Sequence, residues 1–166
     1  MTKVSLIGLN CQIGSMVETA EKIANRFGKK QEVVIRNGVM KLHHFSKEED
    51  LVGLTCKTTS SLIKELGIDP VRIKGVFGST TYTAKFLVPS FTVCVADKLG
   101  LRNIICDQVG LGCAGGLQAL RNAYNQALVD CKHGETGYYL VVIGDQTSRL
   151  LDKENFGTSI LFSDGV

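Results

Sequence analysis

The order of apolar and polar positions along this 166-residue chain divides it into short elements that alternate in period. An apolar run from Lys3 to Leu9 reads as a first strand. Ser15-Met16-Val17-Glu18 has the form of a capping box, and Val17, Ala20, Ala24 and Phe27 would share one face of the helix it opens, closed by Gly28. A second box, Ser46-Lys47-Glu48-Glu49, predicts a longer helix with Leu51, Leu54, Thr58, Leu62 and Leu66 at helical spacing, stopped by Gly67 and Asp69-Pro70. Ile73 to Gly78 reads as a buried strand. Pro89 suits the first turn of a helix that runs to Leu99 and stops at Gly100.

The second half of the chain repeats the pattern. Asn103 to Cys106 is an apolar run that enters a glycine-rich turn. The helix that leaves the turn carries Leu117, Leu120, Tyr124, Leu128 and Cys131 as its expected buried stripe and ends at His133-Gly134. Tyr138 to Ile143 is too short and too continuously apolar for anything but a strand covered on both faces, and Thr158 to Phe162 reads as one more. Strands alternating with helices predict an α/β fold, a layered and mostly parallel sheet with helices on both faces.

Candidate chemistry concentrates in the turn Gly110-Leu111-Gly112-Cys113-Ala114-Gly115-Gly116. Glycines allow a tight bend and a close approach to the backbone. The helix that follows offers unpaired N–H groups and a positive dipole end. A cysteine there sits as the nucleophile does in a strand-turn-helix elbow, with sulfur replacing oxygen, and the N–H groups can hold an oxyanion. Two other readings of the same residues remain open. Gly110-x-Gly112-x-x-Gly115 also fits a dinucleotide-binding turn, although the next strand ends at Gly144-Asp145, about 30 residues on rather than the usual ~20. A buried cysteine in a structural turn is the third.

Composition narrows the classes. The length suits a single domain with a real core. No run approaches a membrane span, and Met1 to Ile7 lacks a long apolar signal region, so a cytoplasmic chain is expected. Six cysteines without paired short spacings argue against zinc and against a disulfide framework, and the five other than Cys113 read as small buried residues. A net charge of +3 fits an acidic carrier protein or a phosphate-bearing thioester better than nucleic acid. His43 and His44 read as solvated residues ahead of a helix, and His133 as a partner of a helix C-terminus.

Cys113-Ala114-Gly115-Gly116 after an apolar strand resembles the active-site segment of the ketoacyl-acyl-carrier-protein synthase III family, in the thiolase superfamily. Ile35-Arg36-Asn37-Gly38-Val39, Gly78-Ser79-Thr80-Thr81, Val141-Val142-Ile143-Gly144-Asp145 and Phe162-Ser163-Asp164-Gly165 are similar to further segments of that family, in the same order, from about Lys3 to Val166. The resemblance implies the N-terminal half of a thiolase-like (αβαβα) fold with the second half absent from this chain. It implies that Cys113 is acylated by an acyl thioester, from coenzyme A or an acyl carrier protein, with no other cofactor and no metal. A malonyl thioester is then decarboxylated and condensed, using a His and an Asn of the missing half.

By the same resemblance Arg36 and Arg149 lie near the donor nucleotide, and Phe86 reaches across a dimer to line the acyl pocket. The chain has no tryptophan, whereas well-known members stack one on the donor's adenine. That departure favours delivery by a carrier protein. Chalcone-synthase-like enzymes share a similar turn but carry an aromatic residue after the cysteine, where this chain has Ala114. The expected partners are therefore the acyl donor and a second half, on a separate chain or missing as a fragment, in a homodimer or heteromer, with no nucleic acid and no membrane. The alternative role is a non-catalytic ketosynthase-like subunit that stabilises or shapes an active companion.

Overall fold

The alternation of burial along one strand organises the molecule. A computed structural model describes residues 3–81, 86 and 88–166. Of the residues discussed above, Met1 and Thr2 lie outside this set. The chain order is β1 (Met16–Thr19), α1 (Ala20–Arg26), α2 (Gln31–Arg36), β2 (Lys41–His44), α3 (Leu51–Glu65), β3 (Ile73–Ser79), α4 (Phe91–Lys98), β4 (Ile105–Val109), α5 (Gly115–Lys132), β5 (Tyr138–Ile143) and α6 (Phe156–Ser159). Strands β3, β4 and β5 form a parallel sheet in the order β4-β3-β5, while β1 and β2 pair as a separate antiparallel ribbon. This is the α/β architecture expected.

Within β3 the residues alternate between two helical layers. Val76 packs in a core with Leu51 and Leu54 of α3 and Phe91 and Val95 of α4, all buried. A Cβ on Gly78 would stand 2.7 Å from the Thr92 methyl of α4, so glycine there permits the close approach of that helix. Phe77 faces the other way, clustered with Ala119 and Ala123 of α5. Two flank contacts tie α5 to the outer strands. Asn122 donates to the Asp107 carboxylate of β4 at 2.7 Å, and the Tyr139 hydroxyl of β5 donates to Asp130.

Several expectations need correction. Lys3 to Leu9 is not a strand; Leu6 and Leu9 stand 77% and 86% exposed, because no neighbouring strand pairs with them among the described residues. The box at Ser15–Glu18 opens no helix. Met16–Thr19 pairs with Lys41–His44 instead, and Thr19 caps α1 by accepting from Lys22 N. Glu49 does reach back to Ser46 N, at 2.8 Å, but α3 starts later, with Asp50 accepting from Gly53 N. Pro89 precedes the cap of α4, which is Ser90. Thr158–Phe162 is no strand: Asn155 caps the short helix α6 there. Strand β5 has Val142 buried but Ile143 half exposed, since one of its edges has no strand partner among the described residues.

The largest correction concerns α5. Its buried positions are Gly115, Ala119, Ala123 and Ala127, four residues apart, whereas Leu117 is 75%, Leu120 44% and Tyr124 48% exposed. The sheet already presents Phe77 and Tyr139 toward the helix, leaving room only for small side chains between them. The large apolar residues therefore turn outward, with Leu128 and Cys131 half-buried.

Candidate active site

Three parallel strands end on the same side, and the glycine-rich turn crosses their carboxyl ends, where α/β sheets commonly bind ligands. After β4, a single 3-10 turn, Gly112–Ala114, connects to α5. Gly112 has φ +52°, the left-handed region in which glycine is unstrained. Gly115 and Gly116 lie against the ends of the neighbouring strands. A Cβ on Gly115 would sit 2.0 Å from Ser79 Oγ of β3, and one on Gly116 would sit 2.8 Å from Ile143 Cδ1 of β5. The helix start can approach the sheet this closely only as glycine.

Cys113 is thereby placed at the outer corner of the turn, exposed. Ala114, at the cap position of α5, makes no side-chain cap hydrogen bond, so the first-turn N–H groups are not occupied by a capping side chain. Of the other cysteines, Cys56 is buried and donates to Val95 O, with burial pushing its thiol up to about 11. Cys94, Cys106 and Cys131 are half-buried, and burial raises Cys106 as well. Cys11 departs from the expected burial: it is exposed.

The other expected site residues are not gathered at Cys113. Arg36 lies exposed at the end of α2. Arg149 lies exposed in the 3-10 turn Thr147–Arg149 and lines a cleft beside β1 and β2. With its amide oxygen facing the guanidinium, the buried Gln146 accepts from Arg149 Nε at 2.8 Å and Nη2 at 3.1 Å. Phe86 is turned into the chain's own core, 5% exposed, with its ring centroid 5.5 Å from that of Phe91. Its apolar ring gains more from that packing than from projecting outward. His43 and His44 are not solvated ahead of a helix but belong to β2. His43 Nδ1 lies 3.0 Å from Gly14 O, and His44 Nε2 lies 3.6 Å from Glu18. His133 caps the end of α5 as expected.

Sequence reasoning missed the polar residues that brace the strand ends. Gln108, five residues before Cys113, accepts from Phe91 N at 2.5 Å and donates to Phe86 O at 3.5 Å, linking β4 to the start of α4. Asp145 accepts from Thr80 Oγ1, Thr81 N and Thr81 Oγ1 at 2.5–3.2 Å. Asp164, 1% exposed, accepts from Phe45 N, Ser148 N and Ser148 Oγ, joining three segments. A lone polar residue flanking an apolar strand was the signal available for each.

Residues 108–166, which include the turn and everything after it, match the family model for 3-oxoacyl-[acyl-carrier-protein (ACP)] synthase III. The chain is 28% identical over its whole length to the beta-ketoacyl-[acyl-carrier-protein] synthase III of Clostridium acetobutylicum, covering 50% of that protein. Over residues 108–166, and by this identity along its length, this chain is similar to the synthase III family. The corresponding enzyme of Campylobacter fetus is 26% identical, again over the full chain and 49% of the relative. The chain thus spans about half the length of the curated synthase III relatives it matches.

Solved structures agree on the fold. The priming beta-ketosynthase of the R1128 polyketide biosynthetic pathway superposes with a TM-score of 0.83 at 22% identity, covering 94% of this chain and 46% of that one. The 3-oxoacyl-[acyl-carrier-protein] synthase III of Aquifex aeolicus VF5 gives 0.79 at 20% identity, with 94% and 49% covered. The fold is accordingly thiolase-like, matching about half of each of these structures. No helix among the described residues is long and apolar enough to cross a membrane.

Proposed function

We propose that this chain supplies the nucleophile of a synthase III-type acyltransferase of the cytoplasm. The observation that carries the reading is the exposed Cys113 on a glycine turn across three parallel strand ends, at the start of α5. The Cys113 thiolate attacks the carbonyl carbon of an acyl thioester, and the Cys113 N–H steadies the oxyanion as the tetrahedral intermediate forms. Collapse breaks the bond between that carbon and the donor sulfur. The donor leaves as a thiol after taking up a proton, and the acyl group remains on Cys113. Decarboxylative condensation with a malonyl thioester then requires the His and Asn of a second half.

The exposed Leu117, Leu120 and Tyr124 face of α5 supports a role within a larger assembly. Burying such side chains contributes about 1.5–3 kcal/mol each. The second half would cover this face, and the complete unit would assemble as a homodimer or heteromer. The donor is a coenzyme A or acyl-carrier-protein thioester, with Arg149 and Arg36 as candidate contacts for its phosphates and Phe86 as packing beneath the acyl pocket rather than a residue aimed across a dimer.

Intact-mass spectrometry after incubation with a short acyl thioester tests the reading. A single acyl increment that Cys113→Ala removes and Cys11→Ala retains is expected. Cys113 should also react with iodoacetamide faster than Cys11, although both are exposed. No increment, together with equal alkylation of the two cysteines, would favour the non-catalytic companion subunit instead.

A further inference from the structure

Two connections leave the same end of the sheet from neighbouring strands. The turn that carries Cys113 follows β4, and the link to α4 follows β3, its parallel partner. Both present apolar surface there: Leu111 in the turn is 58% exposed and Val88 in the link 92%. An acyl tail carried by Cys113 would be drawn onto such surface rather than left in water.

One side chain ties the link to β4. Gln108 lies five residues before Cys113, on the strand that delivers it. It pairs in register with Gly78, a position that faces Thr92 of α4, so its amide reaches toward the start of that helix. The amide oxygen accepts from Phe91 N at 2.5 Å, and the amide nitrogen donates to Phe86 O at 3.5 Å. The cap Ser90 is occupied with Val93 N, which leaves Gln108 as the partner of the Phe91 N–H. Phe91 is fully buried and Phe86 is 5% exposed, with ring centroids 5.5 Å apart, so the amide fixes backbone on both sides of Val88 to the core. The β3 end of the link is held separately, by Thr80 and Thr81 donating to Asp145. Leucine would fill the space of Gln108 and join nothing, whereas glutamate would keep the acceptor and lose the donor.

We propose that Gln108 is a positioning residue for acyl transfer: its amide sets where Phe86, Val88 and Phe91 stand beside the Cys113 turn, and thereby the length of acyl tail the cysteine accepts. This deepens the reading of Cys113 as the acylated nucleophile and rests on it.

Paired rates on the 166-residue chain test the proposal. Cys113 is offered acetyl and decanoyl thioesters of N-acetylcysteamine and, separately, iodoacetamide and N-decyl iodoacetamide, with the modified residue read by peptide mass. The parent should favour the short reagent of each pair, and Gln108→Leu should cut that preference about fivefold or more. Gln108→Glu should fall between the two. Gln126→Leu, which deletes a like hydrogen bond near the far end of α5, should keep the parent's preference. Amide exchange gives a reading that does not involve Cys113: the Phe91 N–H should lose protection in Gln108→Leu and keep it in Gln108→Glu. Should Gln108→Leu fail to fold, a reduced preference in Gln108→Glu with Phe91 still protected decides the matter. An equal preference in the parent and the folded Gln108 variants, or the same loss in Gln126→Leu, would overturn the proposal. Thioesters that leave Cys113 unmodified, with the alkylation preference still falling in the Gln108 variants, would overturn acyl transfer alone and uphold Gln108 as the residue that sets tail length at Cys113.

Discussion

The two faces of α5 are built from opposite materials. Toward the sheet the helix presents Gly115, Ala119, Ala123 and Ala127; away from it stand Leu117, Leu120 and Tyr124. The inner face sets distance, because small residues let the helix axis approach β3 and hold the turn at Cys113 against Ser79. The outer face has apolar area left exposed among the described residues. Hydrophobicity alone marks both faces and even ranks them in the wrong order. Burial within a chain is decided by the space that the facing layer leaves, here little beside Phe77 and Tyr139.

The comparison breaks most sharply at Gly115. Gly115→Ala should cost about 3 kcal/mol in urea unfolding, because the new methyl would lie 2.0 Å from Ser79 Oγ. It should also slow alkylation of Cys113, two residues away. Adding Ser79→Gly to the variant should recover part of both losses. Ala119→Leu comes next, at about 2 kcal/mol, since Ala119 is fully buried against the sheet. An unchanged midpoint for either would show that the helix sits farther from the sheet than described.

Charging the outer face should do far less to the chain itself. Leu117→Lys with Leu120→Lys is expected to move its stability by no more than about 0.5 kcal/mol. The same pair should abolish co-purification with a second half supplied on a separate chain. A large loss of stability in the isolated chain would mean that these leucines already have a partner within it.

These faces also mark how far the sequence was legible. Strands β3 and β5 and helix α3 were readable because their signals were local: a continuous apolar run, a helical repeat, glycine stops at Gly28, Gly67, Gly100 and Gly134 with positive φ. The turn at Cys113 was readable for the same reason, since glycine spacing and the helix behind it are neighbours in sequence. Lys3–Leu9 and Thr158–Phe162 were misread because apolar residues report a need for contact, and neither the partner nor the period follows from so short a run. Thr19 displaced the capping box because pairing of Met16–Thr19 with β2 claimed the residues the box would have used. Phe86 was assigned by position in a motif, and only packing against Phe91 shows which way it turns. A cleft lined by Arg26, by Lys47 and by Arg149 and Lys153 draws on three separate parts of the chain, so no linear pattern announces it.

The smallest expected effect lies on the flank between the two faces, where α5 is pinned by polar groups. Asp130 accepts from the Tyr139 hydroxyl and from Gln126 Nε2, and these bonds, the Tyr139 one foremost, hold its carboxyl below the usual 3.8. A carboxyl depressed in the folded state adds stability that is complete above its unfolded value. That stability is lost as pH falls through the folded value. Tyr139→Phe keeps the ring and deletes the hydroxyl. The urea midpoint of the parent should therefore exceed that of Tyr139→Phe near neutral pH, and the gap should narrow as pH drops from about 5 to about 2. A gap that stays constant across that range would show that the hydroxyl contributes independently of the Asp130 charge, and no gap at any pH would leave the Tyr139 contribution to its ring, which packs 6.2 Å from Phe77 on the apolar inner face.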